Sequence, residues 1–134
     1  MMGNAMKKWI VILLVALLLT ACAQPEENQQ QEAVYVNITA QEAKQIMDTQ
    51  EGYVILDVRS QEEFDGGHIP GAILIPDTEI TKKAEQVLTD KNQLILVYCR
   101  SGRRSKLAAE ALVELGYTNI KEFGGIIDWP YEVE

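Results

Sequence analysis

From residue 34 onward the chain alternates short β-branched or aliphatic runs with longer stretches whose apolar residues fall three or four apart. The runs predict strands and the spaced stretches predict helices. Val34 to Ile38 predicts a first strand. Thr39, with Glu42 three residues on, forms a capping box that opens a helix. Ala43, Ile46 and Met47 give that helix an apolar face, and Gly52 marks its end. Tyr53-Val54-Ile55-Leu56 is nearly continuous in apolar residues, as in a strand covered on both faces. Ser60 to Phe64 predicts a second helix with Glu63 at the box position. Gly66, Gly67, Pro70 and Gly71 punctuate a turn region, and Ala72 to Ile75 predicts a third strand. Thr78 to Leu88 predicts a helix with a weak pattern. Leu94 to Tyr98 is the clearest buried strand. Arg103 to Leu115 predicts a helix with Leu107, Ala108, Ala111, Leu112 and Leu115 on one side and Gly116 as its stop. Asn119 to Phe123 predicts the last strand, and Gly124-Gly125 opens a closing segment that contains Trp129.

Strands that alternate with helices imply βαβ units, a mostly parallel sheet and helices on both faces. Sites in such sheets form at the carboxyl ends of strands. Cys99 stands there, between the most apolar strand and a helix start. The length of 134 residues suits one domain with extensions. A composition of 47% hydrophobic and 24% charged residues provides for a packed core. The net charge of −8 lacks the basic excess of a nucleic-acid-binding domain. Two cysteines, Cys22 and Cys99, and a single histidine, His68, leave no Cys/His pattern of a zinc site and no cofactor motif.

The first 33 residues follow another logic. Lys7 and Lys8 precede Trp9 to Leu19, an apolar run of 11 residues. A spanning helix needs roughly 20, so this run fits the core of a signal peptide. Leu19-Thr20-Ala21-Cys22 follows and resembles the lipobox of bacterial lipoproteins. The resemblance implies a signal peptide over 1–21, cleavage before Cys22, and a lipid on the Cys22 sulfur. Residues 22–33, polar and without apolar period, read as a flexible tether. The expected destination is the extracytoplasmic face of a cell membrane. Cleavage would remove Lys7 and Lys8 but no acid, leaving 10 bases against 20 acids. So acidic a chain must rely on acyl chains, not charge, to stay on an anionic membrane.

The chemistry concentrates in Cys99-Arg100-Ser101-Gly102-Arg103-Arg104-Ser105. A loop between a strand end and a helix start turns backbone N–H groups inward and presents the positive end of the helix dipole. Arg100, Arg103 and Arg104 add charge. Both effects favour a thiolate at Cys99. Four of the ten basic residues left after cleavage lie between Arg100 and Lys106, a concentration that reads as a site for a small anion. The blander alternative is a buried structural cysteine beside a solvated basic helix start.

The chain resembles the rhodanese family over about Tyr35 to Trp129. Leu56-Asp57-Val58-Arg59 with Glu62-Glu63-Phe64 looks like that family's first signature. Gly67-His68-Ile69-Pro70-Gly71-Ala72 looks like its second, and Val97 to Gly102 with Arg103-Arg104-Ser105 looks like its active-site loop. Gly116-Tyr117 and Gly124-Gly125-Ile126 with Trp129 look like closing signatures. The resemblance implies a rhodanese-like domain over 34–134 with a three-layer α/β/α fold and a five-stranded parallel sheet. It implies a sulfurtransferase that takes sulfane sulfur from thiosulfate or a related donor. Cys99 would carry the sulfur as a persulfide and pass it to a thiol or cyanide acceptor, with no other cofactor. Arg100, Ser101, Gly102, Arg103, Arg104 and Ser105 would bind the donor, and the domain would act as a monomer. The chain departs from the family at Trp129-Pro130-Tyr131, where a final helix would be short.

Two other classes compete. Related phosphatases and arsenate reductases need Cys-x5-Arg, and that position here is Ser105; Arg104 falls one residue early. A noncatalytic module that binds partners or relays persulfide is the third class, against which the intact Cys99 argues. Among supporting residues, His68 is a possible base, but its His-x-Pro-Gly setting reads as a structural turn. Asp57 is expected to accept hydrogen bonds from loop N–H groups, and Arg59 to pair with Glu62 or Glu63. Trp129 reads as a core lid.

Overall fold

The computed structural model describes residues 34–134. The signal segment, Cys22 and the whole tether lie outside the described residues. Five strands run β1 (Val36–Asn37), β2 (Val54–Asp57), β3 (Ile73–Leu74), β4 (Ile95–Cys99) and β5 (Ile120–Gly125). Four α-helices join them: α1 (Ala40–Thr49), α2 (Gln61–Asp65), α3 (Ile80–Val87) and α4 (Arg103–Glu114). The strands form one sheet in the order β1-β5-β4-β2-β3, and every pairing is parallel. This is the expected α/β fold.

The sheet splits the core in two. On one face, Leu56, Val58, Ile95, Val97, Cys99 and Ile120 pack against Ala84 of α3 and Ala108, Ala109 and Leu112 of α4. On the other, Ile55, Leu96, Tyr98, Phe123 and Trp129 pack against Ala43 and Ile46 of α1. β4 lies centrally and all five of its residues are buried, as its unbroken apolar run requires. The edge strands β1 and β3 are only two residues each, short as edges tend to be.

Local chemistry sets the helix ends. Thr39 and Ser60 both make complete capping boxes, with Glu42 and Glu63 respectively. α1 ends at Thr49 with Gln50 as an extended cap; Gly52 makes the turn two residues later instead of stopping the helix. α4 ends in a Schellman motif. The Gly116 amide donates to Val113 O and the Tyr117 amide to Leu112 O, which needs the left-handed Gly116 (φ 93°). The 78–88 stretch begins as a 3-10 turn over Asp77–Glu79, and α3 follows without a side-chain cap, because Glu79 at its cap position accepts nothing from the helix. A further short 3-10 turn, Ile126–Asp128, follows β5.

The buried row of α4 differs from the expected one. Ser105, Ala108, Ala109 and Leu112 face the sheet, whereas Leu107 is 51% exposed. Their i, i+3, i+4, i+7 spacing is a clean helical stripe. The two alanines let the helix lie close to the sheet, and the rotation that buries them also turns Ser105 inward beside Cys99. Leu112→Ala should therefore cost about 2–5 kcal/mol in chemical denaturation, the range for deleting a buried leucine. Leu107→Ala should cost less than about 1 kcal/mol, as exposed substitutions do. Equal losses would refute this orientation of α4.

Candidate active site

β4 delivers Cys99 to the carboxyl edge of the sheet, and the chain then turns sharply into α4. Gly102 is the turn residue, at φ 104°, and caps α4 without any side-chain hydrogen bond. The sulfur takes up that role, since Cys99 Sγ accepts from the Gly102 amide at 3.0 Å. Cys99 is 1% exposed. Burial pushes its thiol up, but the Ser105 hydroxyl and the backbone amides of Ser105, Gly102 and Ser101 outweigh burial and hold it below its ordinary value. The loop thus favours a thiolate without a histidine base.

The loop can turn so tightly only because β5 ends in glycine. Cys99 pairs with Gly125 across a register shift that begins at Val97. A Cβ on Gly125 would lie 2.0 Å from Arg100 O and 2.6 Å from Ser101 Cα. Gly102 likewise approaches Gly124, at 3.5 Å from a notional Cβ. The Ile127 amide donates to Arg100 O at 3.2 Å and ties the closing segment to the loop.

The three arginines part company. Arg100 and Arg103 are exposed on the rim. Arg104 turns away to grip Glu63 of α2 with two bonds of 2.8 Å each. That fork holds the Glu63 carboxyl down at about 2, and the Ser60 capping contacts help against burial. Arg104 is raised in turn, chiefly by Glu63. Its charge is already matched, which leaves Arg100 and Arg103 as the loop arginines on the open rim.

Asp57, Arg59 and His68 stand apart from the sulfur. Asp57 accepts the Arg59 amide at 2.9 Å, the loop N–H role expected of it, and Arg59 Nη2 at 2.7 Å. It also accepts the Tyr98 hydroxyl at 2.6 Å. Arg59 therefore pairs with Asp57, not with Glu62 or Glu63, because both side chains are buried and neither could remain unpaired. Arg59 further donates to Gly67 O at 2.7 Å, and Tyr98 accepts the Ile69 amide at 3.1 Å. The network fastens the ends of β2 and β4 to the turn at 67–69. Burial, then Asp57, holds the Tyr98 hydroxyl well above its ordinary value, so it stays a donor. His68 stacks on Phe64 at 3.8 Å and its Nδ1 sits 3.0 Å from Phe64 O. Its backbone exchanges two 2.9 Å bonds with Glu134. It belongs to the turn. Trp129 packs in the α1-side core, as expected.

Three residues of the site escaped sequence reading. Glu63 reads in the sequence as a cap and a partner for Arg59, not as the partner of Arg104. Gly125 was noted as a pattern without its reason. Glu122 went unremarked, although it shares the period-2 face of Ile120, a signal that would place a carboxyl group on the α4 side of the sheet. It is 2% exposed, and its Oε1 accepts the Ser105 hydroxyl at 2.6 Å and the Gly124 amide at 2.8 Å.

The profile of the rhodanese-like domain matches residues 39–130, most of the chain. The chain belongs to the rhodanese-like domain family. Among similar proteins, the thiosulfate sulfurtransferase PspE of Escherichia coli (strain K12) is 41% identical over 73 residues, covering 54% of this chain and 70% of PspE. YrkF of Bacillus subtilis (strain 168), named as a candidate sulfur carrier protein, is 34% identical over 110 residues, covering 81% of this chain and 58% of YrkF. A solved rhodanese with anions from E. coli superposes with a TM-score of 0.58 at 36% identity, covering 61% of this chain and 96% of that one. The matched span contains the whole cradle described above: a cysteine at a strand end, a left-handed glycine and a glycine pair beneath the loop.

Gly125→Ala should displace the rhodanese loop, since no rotamer change moves a methyl group off a backbone carbonyl. We expect a stability loss of about 1–3 kcal/mol or more, the cost of overpacking. The loss should be accompanied by a rise in the pH at which Cys99 becomes reactive. Unchanged thermal stability and an unchanged Cys99 alkylation profile would show that the loop does not depend on this contact.

Proposed function

We propose that this rhodanese-like chain is a sulfurtransferase that carries sulfur as a persulfide on Cys99, with thiosulfate or a similar anion as donor. The observation that carries the reading is the Cys99 sulfur at the mouth of α4, accepting the Gly102 amide at 3.0 Å within a ring of donors. The Cys99 thiolate attacks the outer sulfur of thiosulfate. A sulfur–sulfur bond forms to Cys99, the bond to the sulfonate sulfur breaks, and sulfite leaves with that electron pair. An acceptor thiolate or cyanide then attacks the outer persulfide sulfur, and Cys99 departs as a thiolate. The two half-reactions give ping-pong kinetics. Near-complete burial of Cys99 favours a donor that presents one sulfur end-on. Arg100 and Arg103, on the open rim, attract the dianion, and Arg104, held by Glu63, shapes the wall. No side chain is needed as a base, which leaves His68 a turn residue.

The same geometry disfavours phosphate esters. A phosphatase loop needs its arginine at the position of Ser105, which is fully buried and hydrogen-bonded to Glu122. Arg104 is already engaged by a carboxylate.

Mass spectrometry of the purified protein with thiosulfate should find one added sulfur on Cys99, removed by cyanide. Cys99→Ser should abolish transfer, because serine supplies no thiolate at neutral pH, whereas His68→Ala should retain it. Arg103→Ala should raise the KM for thiosulfate, and added salt should reproduce part of the rise. Absence of the adduct would overturn the sulfurtransferase reading, and aryl phosphate hydrolysis that vanishes in Cys99→Ser would transfer the assignment to the phosphatase class.

We also propose that Cys22 is the lipidated amino terminus of the mature protein, which would hold the domain at the extracytoplasmic face of the membrane. The support is the apolar run of 11 residues and the Leu19-Thr20-Ala21-Cys22 sequence behind it. Two or more acyl chains anchor stably where one does not. Cys22→Ser should leave the membrane fraction and lose the lipid mass. A variant that fractionates like the wild type, without lipid in either, would exclude the anchor.

A further inference from the structure

The cap of one helix holds the arginine of another. Glu63 is the third residue of α2, where its Oε2 accepts the Ser60 amide at 2.9 Å and the Ser60 hydroxyl at 3.0 Å and closes the capping box. The cap uses that one oxygen. The other, Oε1, makes no capping contact and accepts Arg104 Nη2 at 2.8 Å, while Oε2 also takes Arg104 Nη1 at 2.8 Å. Glutamine closes a capping box as glutamate does. The cap therefore explains neither the charge of Glu63 nor its second oxygen, whereas a fork to a guanidinium uses both. The Arg104 bonds hold the Glu63 carboxyl at about 2, so the pair is ionised at neutral pH.

Without that fork Arg104 would have another place to go. It stands two residues beyond Gly102, whose amide is 3.0 Å from Cys99 Sγ. Two residues span at most about 7 Å of chain, a gap that an extended arginine side chain covers. Side chains of a helix also lean toward its amino terminus, which for α4 means over the Cys99 loop. The free amides of the first turn and the positive end of the helix dipole already suit an anion there. A guanidinium added to them would meet the edge of a phosphate or sulfate with two parallel bonds.

We propose that Glu63 is a specificity-determining residue: by fastening Arg104 to α2, it keeps the Cys99 loop from gripping tetrahedral oxyanions such as inorganic phosphate and sulfate. The proposal rests on the sulfurtransferase reading for its purpose. A loop that closed on ambient oxyanions would fill the place where the donor must present its outer sulfur. With Arg104 withdrawn, the amides stay open to that sulfur. Arg100 and Arg103 on the rim attract the donor without enclosing its oxygens.

The test is protection of Cys99 by inorganic phosphate, and separately by sulfate, against iodoacetamide in the full chain. Ionic strength is held constant with chloride, and alkylation is read by mass spectrometry on the peptide that contains Cys99, so Cys22 does not interfere. Glu63→Gln keeps an acceptor for the Ser60 amide but loses the charge. Its half-protecting phosphate concentration should fall about tenfold below that of the wild type, the weight of one hydrogen bond to a charged group. Glu62→Gln makes the same change of net charge at the exposed neighbouring residue. It should move that concentration by less than about twofold, as screened surface charges do. Glu63→Gln combined with Arg104→Ala should return to the wild-type value. A gain that persists in the double variant, or that Glu62→Gln reproduces, would mean that only the lost charge acts, and the proposal would fall. Unchanged protection in Glu63→Gln would also sink it, as when the freed guanidinium passes to Asp77, which already feels its charge. Glu63→Asp, drawn back from Arg104 by one methylene, should show a smaller gain of the same sign, and it decides alone if Glu63→Gln does not fold. No sulfur donor enters this experiment. If thiosulfate leaves no adduct on Cys99 and phosphate protection still responds to Glu63 as described, the sulfurtransferase reading fails and the hold on Arg104 stands.

Discussion

The absence of a single methyl group at Gly125 governs the site. Cys99 is still a strand residue when the chain must turn, and the turn is so tight that the Arg100–Ser101 peptide rests on the backbone of β5. Any side chain there would lift the loop away from the sheet. With the loop pressed down, the amides of Ser101 and Gly102 converge on the sulfur and the first turn of α4 points its free N–H groups the same way. Backbone donors in fixed positions need no reorganisation when charge appears on sulfur. The left-handed Gly102 and the Gly124 beneath it follow from the same close approach. What reads in the sequence as two separate glycine motifs, 26 or fewer residues from the cysteine, is one steric contact in space.

Charge in this acidic chain is disposed by pairing. Basic residues gather at the loop, but they are not equivalent there. Arg104 and Glu63 join the α4 start to α2, both about a quarter exposed, so the bond orients as much as it stabilises. Asp57 and Arg59 are buried outright, where an ion pair is retained only if its hydrogen bonds are complete. They are complete, through Tyr98, Gly67 and the backbone. The pair spans the ends of β2 and β4 and the 67–69 turn, which makes the sheet edge that carries Cys99 rigid. Rigidity of this kind is what a loop of backbone donors requires.

The sequence made much of this legible. Both capping boxes, the central strand, the α/β order and Cys99 at a strand end were set by local patterns that survive in the fold. What stayed hidden depended on long-range geometry. Arg59 has acidic neighbours at Glu62 and Glu63 in sequence, but its partner is Asp57, because only burial decides which carboxylate must be satisfied. Leu107 fits an apolar helical stripe on paper, yet the two alanines at 108 and 109 allow a closer approach to the sheet and claim that face. Glu122 and Ser105 are 17 residues apart and meet only because α4 packs on the face of the sheet where β5 lies beside β4. No periodicity within either element could announce that contact.

The identity of the residue at position 105 separates the chemistries that this fold could host. A tetrahedral oxyanion must be gripped by a cation that reaches over the loop, and the strand-end cysteine alone cannot hold it. Here a buried hydroxyl occupies that place, and the nearest guanidinium is turned outward to a carboxylate. The result is a cradle of backbone amides at the helix start, with the Gly102 amide 3.0 Å from the sulfur. Such a cradle stabilises charge on the cysteine sulfur itself, or on one sulfur added to it, more effectively than charge spread over three oxygens farther out. That preference supports the proposed sulfur transfer over phosphate chemistry.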